Sequence, residues 1–268
     1  MDFLAHFIVG FIIGALGTLV GSGGGFLIVP FLVYMTDFSP QVIAGTSITV
    51  AFICSLSGAL AFHRKGMIDY KLALILIVAM IPGTLIGFIL NQGITLKHYT
   101  NLFGTFLLFV SLFLFRNVKL RIPHFIPKPI HHRNKMKTTS GSTFEYEISV
   151  RRSAVLSFLV GVFSPLLGIG GGVLRVPPLV MISNMPARVV SAMSQFVTVA
   201  GSILAVILFG VNSQIAFEYV VPLAIGAVFG APFGANVSSK AKKGLVRKII
   251  AFCLFLVGVW MLIQNIGS

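Results

Sequence analysis

Apolar segments recur along nearly the whole of this chain, and they restrict the folds that are open to it. About 20 residues of α-helix cross the hydrocarbon core of a bilayer, and several of the segments reach that length. Hydrophobic residues make up 56% of the 268 residues and charged residues only 10%, against about 25% charged in a typical soluble domain. A soluble domain is therefore excluded, and the sequence predicts an all-α polytopic membrane protein.

Polar breaks divide the apolar sequence into ten segments, five on each side of a long polar stretch. The first five are Phe3–Val20, Phe26–Met35, Val42–Phe62, Tyr70–Leu90 and Tyr99–Phe115. The second five are Ala154–Leu167, Val173–Ile182, Val189–Phe209, Phe217–Ala235 and Val246–Ile263. The same order of long and short segments recurs. We therefore expect a first membrane repeat over 1–115, a basic linker over 116–152 and a second membrane repeat over 153–268.

The two halves also match residue by residue. A constant shift of 147 positions superposes Phe11 to Gly87 on Phe158 to Gly234 without a gap, and about a quarter of these positions are identical. The strongest match is between the two glycine-rich stretches, and further along Ser47 coincides with Ser194. Because the register survives several polar breaks, the sequence indicates a tandem duplication.

The basic residues predict how the halves are oriented. A formal charge of +14 would suggest a nucleic-acid partner in a soluble protein, but in a membrane protein Lys and Arg mark cytoplasmic loops. If the first two segments of each half form a hairpin that returns to its starting side, eighteen of the twenty Lys and Arg residues become cytoplasmic. The exceptions are Lys97 outside and Arg175 within an apolar segment.

This arrangement predicts two inverted repeats with eight to ten membrane spans. The linker is cytoplasmic, both termini are extracytoplasmic, and no nucleic-acid partner is expected. The linker has three prolines and no apolar periodicity, so we expect a partly disordered loop, with a headgroup or partner contact as the alternative. His131 and His132 lack a third ligand at a suitable spacing, so no metal or cofactor is expected.

Two short segments carry the strongest functional signal. Phe26–Met35 and Val173–Ile182 would each rise only about 15 Å as helices, and whether they span fully is left open. Each follows a glycine triplet, Gly23–Gly25 or Gly170–Gly172. In inverted-repeat transporters, interrupted helices at matching positions meet near the midplane at the substrate site, and their N-termini favour anions. The alternative is that these glycines only allow tight hairpins and close packing, as expected for Gly83 and Gly87.

Three side chains are candidates to complete an anion site. Arg175 replaces the equivalent Ile28 of the first half, and an arginine within a membrane segment suggests a functional site. Its guanidinium could bind an oxyanion with two parallel hydrogen bonds, or instead extend to the headgroups or cap backbone carbonyls. Ser47 and Ser194 could add hydroxyl donors, or only bond between helices. The candidate substrate-binding residues are Gly23, Gly24, Gly25, Ser47, Gly170, Gly171, Gly172, Arg175 and Ser194.

The motifs resemble those of a known family. The stretches G-S-G-G-G-F-L-I-V-P at Gly21 to Pro30, A-G-T-S at Ala44 to Ser47 and G-I-G-G-G-V-L-R-V-P at Gly168 to Pro177 are similar to the sulfite exporter TauE/SafE family of membrane transporters. The resemblance covers both halves and implies a plasma-membrane permease that moves sulfur-containing anions such as sulfite or sulfoacetate, often outward. Arg175 departs from the repeat pattern, and Ser191 to Met193 replace the A-G-T of the first half.

The sequence thus predicts a secondary transporter for a small anion. The family resemblance implies a sulfur oxyanion such as sulfite or an organosulfonate as substrate, and export as direction. The alternatives are a passive anion channel and a permease for another small carboxylate or organic anion. An enzyme is not expected, because no His/Asp/Glu cluster has catalytic spacing. The expected partners are the small anion and the lipid bilayer, and a homodimer is left open.

Overall fold

The computed structural model describes residues 3–20, 24–116, 131–137, 143–182, 185, 187–240 and 243–264. The helices of this part are α1 Phe3–Val20, α2 Gly25–Met35, α3 Pro40–Arg64, α4 Tyr70–Gln92, α5 Leu96–Arg116, α6 Val150–Leu167, α7 Gly172–Ile182, α8 Ala187–Val211, α9 Phe217–Lys240 and α10 Lys243–Gln264. Between α5 and α6 lie two strands, β1 His131–Lys137 and β2 Thr143–Ser149. Each helix coincides with one predicted segment, so the helical class is confirmed.

The helices have the lengths and the surface of a membrane protein. In the described part, four of them are long and apolar enough to cross a bilayer: Pro40–Arg64, Tyr70–Gln92, Val150–Leu167 and Val189–Val211. On α4, large apolar side chains on one face are 40–67% exposed: Leu74, Val78, Ile81, Leu85 and Ile89. Such a face is stable against lipid and unfavourable in water. In contrast, α2 and α7 have 11 residues each and rise only about 16 Å, half a bilayer core.

Contacts between the two halves occur in matched pairs. Helix α1 packs on α9 and α4 packs on α6, and the shift of 147 residues relates the first pair to the second. The equivalent helices α3 and α8 contact each other, as do α5 and α10. Gly104 lies against Gly258, and about two turns later on α5 Ser111 donates to the Ala251 carbonyl oxygen, so α5 and α10 run antiparallel. Two equivalent helices therefore point in opposite directions where they meet.

Glycines allow the closest of these crossings. A Cβ atom added to Gly83 or Gly87 of α4 would overlap backbone atoms of Phe158 or Val162 in α6. On α9, Gly226 and Gly230 meet α1 backbone in the same way. Because the helix backbones themselves are in contact, these positions exclude any side chain. The packing role expected for Gly83 and Gly87 is confirmed.

The linker differs from the expectation of a partly disordered loop. Strands β1 and β2 form an antiparallel hairpin with His131 opposite Ser149 and Lys137 opposite Thr143. Tyr146 and Ile148 of β2 are buried in the same apolar cluster as residues of α4 and α8, and the Tyr146 hydroxyl donates to Asp69 Oδ2. The expectation was wrong for 131–137 and 143–149, while 117–130 and 138–142 lie outside the described residues. The alternation of apolar and acidic residues from Phe144 to Ile148 is the strand signal that was overlooked.

The connections fall at two opposite ends of α4. At the end where α4 begins, Asp69 caps the helix by accepting from the backbone N–H groups of Lys71 and Leu72 at 3.0 and 3.1 Å, and it binds the hairpin. At the other end, Gln92 and Gln214 exchange hydrogen bonds at 3.0 and 2.6 Å between their side-chain amides. The hairpin and the α3–α4 loop thus share one end, and the α8–α9 loop lies at the other.

Candidate functional site

The two glycine turns meet inside the protein. Gly24, with φ of 80°, precedes α2, and Gly168, Gly170 and Gly171, with φ of 73°, 70° and 80°, form the turn between α6 and α7. These left-handed conformations suit glycine and strain other residues. A Cβ atom added to Gly25 would lie 3.1 Å from the Ile169 carbonyl oxygen. Two interrupted helices that are far apart in sequence therefore begin side by side, and Gly23 lies outside the described residues.

Helix α3 lies against both turns. A Cβ atom added to either Gly25 or Gly170 would lie 2.6 Å from the Cβ atom of Ala51. One turn further back on α3, Ser47 is fully buried, and its Oγ atom lies 2.9 Å from the Gly25 carbonyl oxygen and 2.6 Å from that of Gly168. The hydroxyl proton is shared between the two turns and links them. A role for Ser47 as an anion ligand stays a prediction, since in this conformation the proton is directed to backbone carbonyls.

Arg175 lies one turn into α7 and is fully enclosed by protein. Its side chain has 0% exposure, so it does not extend to the surface. Nη1 donates to the Ser194 carbonyl oxygen at 3.3 Å and to Thr198 Oγ1 at 3.2 Å. Nη2 donates to Met80 Sδ at 2.9 Å and to Ser157 Oγ at 3.5 Å. The guanidinium is therefore positioned by α4, α6 and α8, and none of these four acceptors is a carboxylate.

Some polar atoms in this pocket are left without partners. Within the described ranges, Arg175 Nε and Ser194 Oγ are buried and make no hydrogen bond, and the same holds for Ser202 Oγ on α8. A buried cation with an unused donor is costly unless a further acceptor is supplied. An additional acceptor beside Nε would therefore be favourable, and a negatively charged one would also compensate the charge.

The pocket is continuous with the glycine turns. A Cβ atom added to Gly170 would lie 4.0 Å from Thr198 Cγ2, and the Oγ1 atom of the same threonine contacts Arg175 Nη1. The structure thus brings the described candidates into one region that extends from Gly25 and Ser47 through the α6–α7 turn to Arg175 and Ser194. Sequence reasoning missed Met80, Ser157 and Thr198 as residues of the site.

The internal repeat contains the signal that could have revealed the residues around Arg175. The shift of 147 residues pairs Arg175, Ser157, Thr198, Ser194 and Met80 with Ile28, Gly10, Ala51, Ser47 and Ala227. Polar or sulfur-containing residues surround the arginine in one half, and the equivalent positions around isoleucine are mostly glycine or alanine. The polar pocket is therefore built around Arg175 only, with Met80 contributed by the first half, although the surrounding fold is duplicated.

A polytopic helical protein with paired interrupted helices and a buried cation beside them belongs to the class of membrane transporters. The family model of the sulfite exporter TauE/SafE matches residues 6–261. The chain belongs to this family.

Curated relatives agree with this assignment over nearly the full length. The probable membrane transporter protein YunE of Bacillus subtilis is 30% identical over 280 aligned residues that cover all of both chains. A probable membrane transporter protein of Methanocaldococcus jannaschii is 25% identical, with 96% of this chain and 94% of the relative covered. One from Haemophilus influenzae is 25% identical with the same coverage. No solved structure matches the chain. The protein is a multi-pass membrane transporter and not an enzyme.

Proposed function

We propose that this protein is a secondary transporter for a small anion and that Arg175 binds the anion. The observation that carries the proposal is a guanidinium with 0% exposure, an unpartnered Nε in the described part of the chain and no carboxylate among its hydrogen-bond acceptors. A charge buried in this way in a membrane protein is expensive. An anionic substrate offsets that cost whenever it is bound.

The chemistry of the pocket favours an oxyanion. Guanidinium groups bind carboxylate-like or sulfonate-like oxygens with two parallel, charge-assisted hydrogen bonds. Ser194 Oγ is a free hydroxyl in the described part of the chain and adds a third donor. We assign the substrate to the sulfur oxyanions, such as sulfite or an organosulfonate, and the direction to export, because the chain belongs to the sulfite exporter family. In this proposal Gly23–Gly25, Gly170–Gly172 and Ser47 shape the site beside the bound anion.

The enclosure of the site favours a transporter over a passive channel. Arg175 and its partners Met80, Ser157, Ser194 and Thr198 are each at most 1% exposed, so an anion reaches the guanidinium only after helices move. A pore that conducts passively needs a continuous open path, whereas alternating access includes a closed intermediate. The interrupted helices α2 and α7, which are linked through Ser47, are the elements that we expect to move.

We also propose that the two repeats have inverted topology, with the hairpin end cytoplasmic and both termini extracytoplasmic. The antiparallel contact of the equivalent helices α5 and α10 supports inversion, and the basic loops support the orientation. In a protein without its native cysteines, we expect Gln92→Cys to react with an impermeant thiol reagent applied to intact cells. Lys65→Cys, at the other end of α4, should react only after permeabilisation. The reverse pattern would contradict the orientation, and labelling of both from one side would contradict the direction of α4.

The function itself is tested by flux in liposomes that contain the purified protein. We expect saturable uptake of labelled sulfite or sulfoacetate, little uptake of sulfate or lactate, and faster uptake when unlabelled substrate is present inside. Stimulation from the opposite side is typical of a carrier and absent in a channel, and the response to a pH gradient reports coupling to protons. Flux that rises linearly with concentration would favour the channel. Absence of flux for all four anions would contradict the assigned substrate class.

A further inference from the structure

The Met80 thioether accepts a hydrogen bond from Nη2 of Arg175, one of the two guanidinium donors that suit an oxyanion. We propose that Met80 Sδ occupies this place on Arg175 Nη2 in the empty protein and moves aside when the anion binds. This inference rests on the proposed function, because it assigns a competitor within the same site. It makes Met80 a residue that sets the affinity of the site and the rate at which the anion leaves.

The geometry separates the guanidinium into a fixed part and an exchangeable edge. Nη1 is engaged by the Ser194 backbone carbonyl and by Thr198 Oγ1. Nε and Nη2 lie on one edge of the guanidinium plane and donate in parallel, so that edge can bind two oxygens of one anion. In the described part of the chain Nε has no partner, and Nη2 has Met80 Sδ at 2.9 Å and a long contact to Ser157 Oγ at 3.5 Å. Met80 thus occupies half of the edge that suits an oxyanion.

The chemistry of a thioether suits a residue that exchanges. Thioether sulfur is a weak, neutral acceptor, while an anionic oxygen forms a hydrogen bond roughly twice as strong as a neutral one. Methionine is unbranched and has three rotatable side-chain bonds, so it changes position easily. The Met80 side chain packs against Gly201 of α8, where any added Cβ atom would overlap Sδ and Cε. The pocket therefore contains a weak acceptor that packs closely yet can rotate away.

The internal repeat agrees with this pairing. The shift of 147 residues relates Met80 to Ala227 and Arg175 to Ile28. The pocket with the arginine also has the methionine, and the equivalent apolar pocket has alanine.

Two nearly isosteric variants of Met80 test the proposal, because we expect them to change the dissociation constant in opposite directions. Met80→Leu removes the acceptor, so the dissociation constant for sulfite should fall about threefold to tenfold and the maximal transport rate should also fall because release slows. Met80→Gln offers a stronger acceptor to Nη2, so the dissociation constant should rise by a similar factor. Calorimetry on the detergent-purified protein measures binding, with methanesulfonate as a second probe, and liposome flux measures the rate.

Met261→Leu is the matched control, because Met261 is equally buried but lies on α10. This variant should leave both the dissociation constant for sulfite and the maximal transport rate unchanged. If the wild-type protein binds sulfite and neither Met80 variant changes the dissociation constant, or if both weaken binding as general damage would, the inference is wrong while the proposed function stands. If the wild-type protein binds neither probe, the assigned substrate class itself has failed. Should Met80→Leu not fold, Met80→Ile replaces it as the variant without the acceptor, with the same expected fall in the dissociation constant.

Discussion

Replacing Arg175 with methionine is expected to abolish anion transport while the protein still folds and inserts. The variant loses two charge-assisted hydrogen bonds to the substrate, each worth about 1.5–3 kcal/mol, so transport efficiency should fall at least about 100-fold. Folding should not suffer in proportion, because replacing a buried, incompletely compensated charge with an apolar side chain of similar size is often neutral or stabilising. Liposome flux and thermal unfolding in detergent measure the two effects.

Two further variants separate charge, geometry and side-chain volume. Arg175→Lys retains the charge but not the planar pair of donors, so we expect a loss of flux smaller than that of the methionine variant. Ile28→Met changes the equivalent position of the first half, where Gly10 and Ala51 correspond to Ser157 and Thr198, and it should leave flux nearly unchanged. Normal flux in Arg175→Met would remove Arg175 from the site. A large drop in its unfolding temperature would indicate a structural role instead.

Gly83→Ala is expected to destabilise the protein by about 2–3 kcal/mol, although it adds one methyl group. The new Cβ atom would overlap the Phe158 carbonyl oxygen and lie 3.0 Å from the Val162 nitrogen. Backbone atoms cannot rotate away as a side chain can, so α4 and α6 must separate along their contact. The repeat counterpart Gly230→Ala, which meets the Phe11 backbone, should be similarly destabilised.

Gly210→Ala on α8 is the matched control for the loss of stability that we expect in Gly83→Ala. Its nearest neighbour would be the Ile215 Cδ1 atom at 3.6 Å, an ordinary contact. Since alanine favours helix over glycine by about 1 kcal/mol, this variant should be as stable as the wild type or slightly more stable. Thermal unfolding followed by size-exclusion chromatography would compare the variants. Equal stability of Gly83→Ala and Gly210→Ala would show that the helices can adjust without loss.

Features that depend on local sequence were predictable. The helical class follows from the length of apolar runs, and the duplication follows from an ungapped match of 21 of the 77 superposed positions. The short α2 and α7 followed from the glycine triplets and the length of the apolar runs after them. The hairpin was missed because its strand pattern is short and lies in a basic, proline-containing stretch. What stabilises it is burial of Tyr146 and Ile148 against residues that are distant in sequence.

For the site, the sequence by itself determined that an arginine lies in a membrane segment and that its repeat counterpart is isoleucine. It also determined that glycine triplets precede both short helices. Only the tertiary structure decided what surrounds the guanidinium, because Met80 is 95 residues away from Arg175 in the chain, and Ser157 and Thr198 belong to other helices. The same holds for Ser47, whose hydroxyl joins Gly25 to Gly168, which lies 121 residues after the serine. Residue types and their spacing depend on the local sequence, whereas the partners of a buried charge depend on how the helices cross.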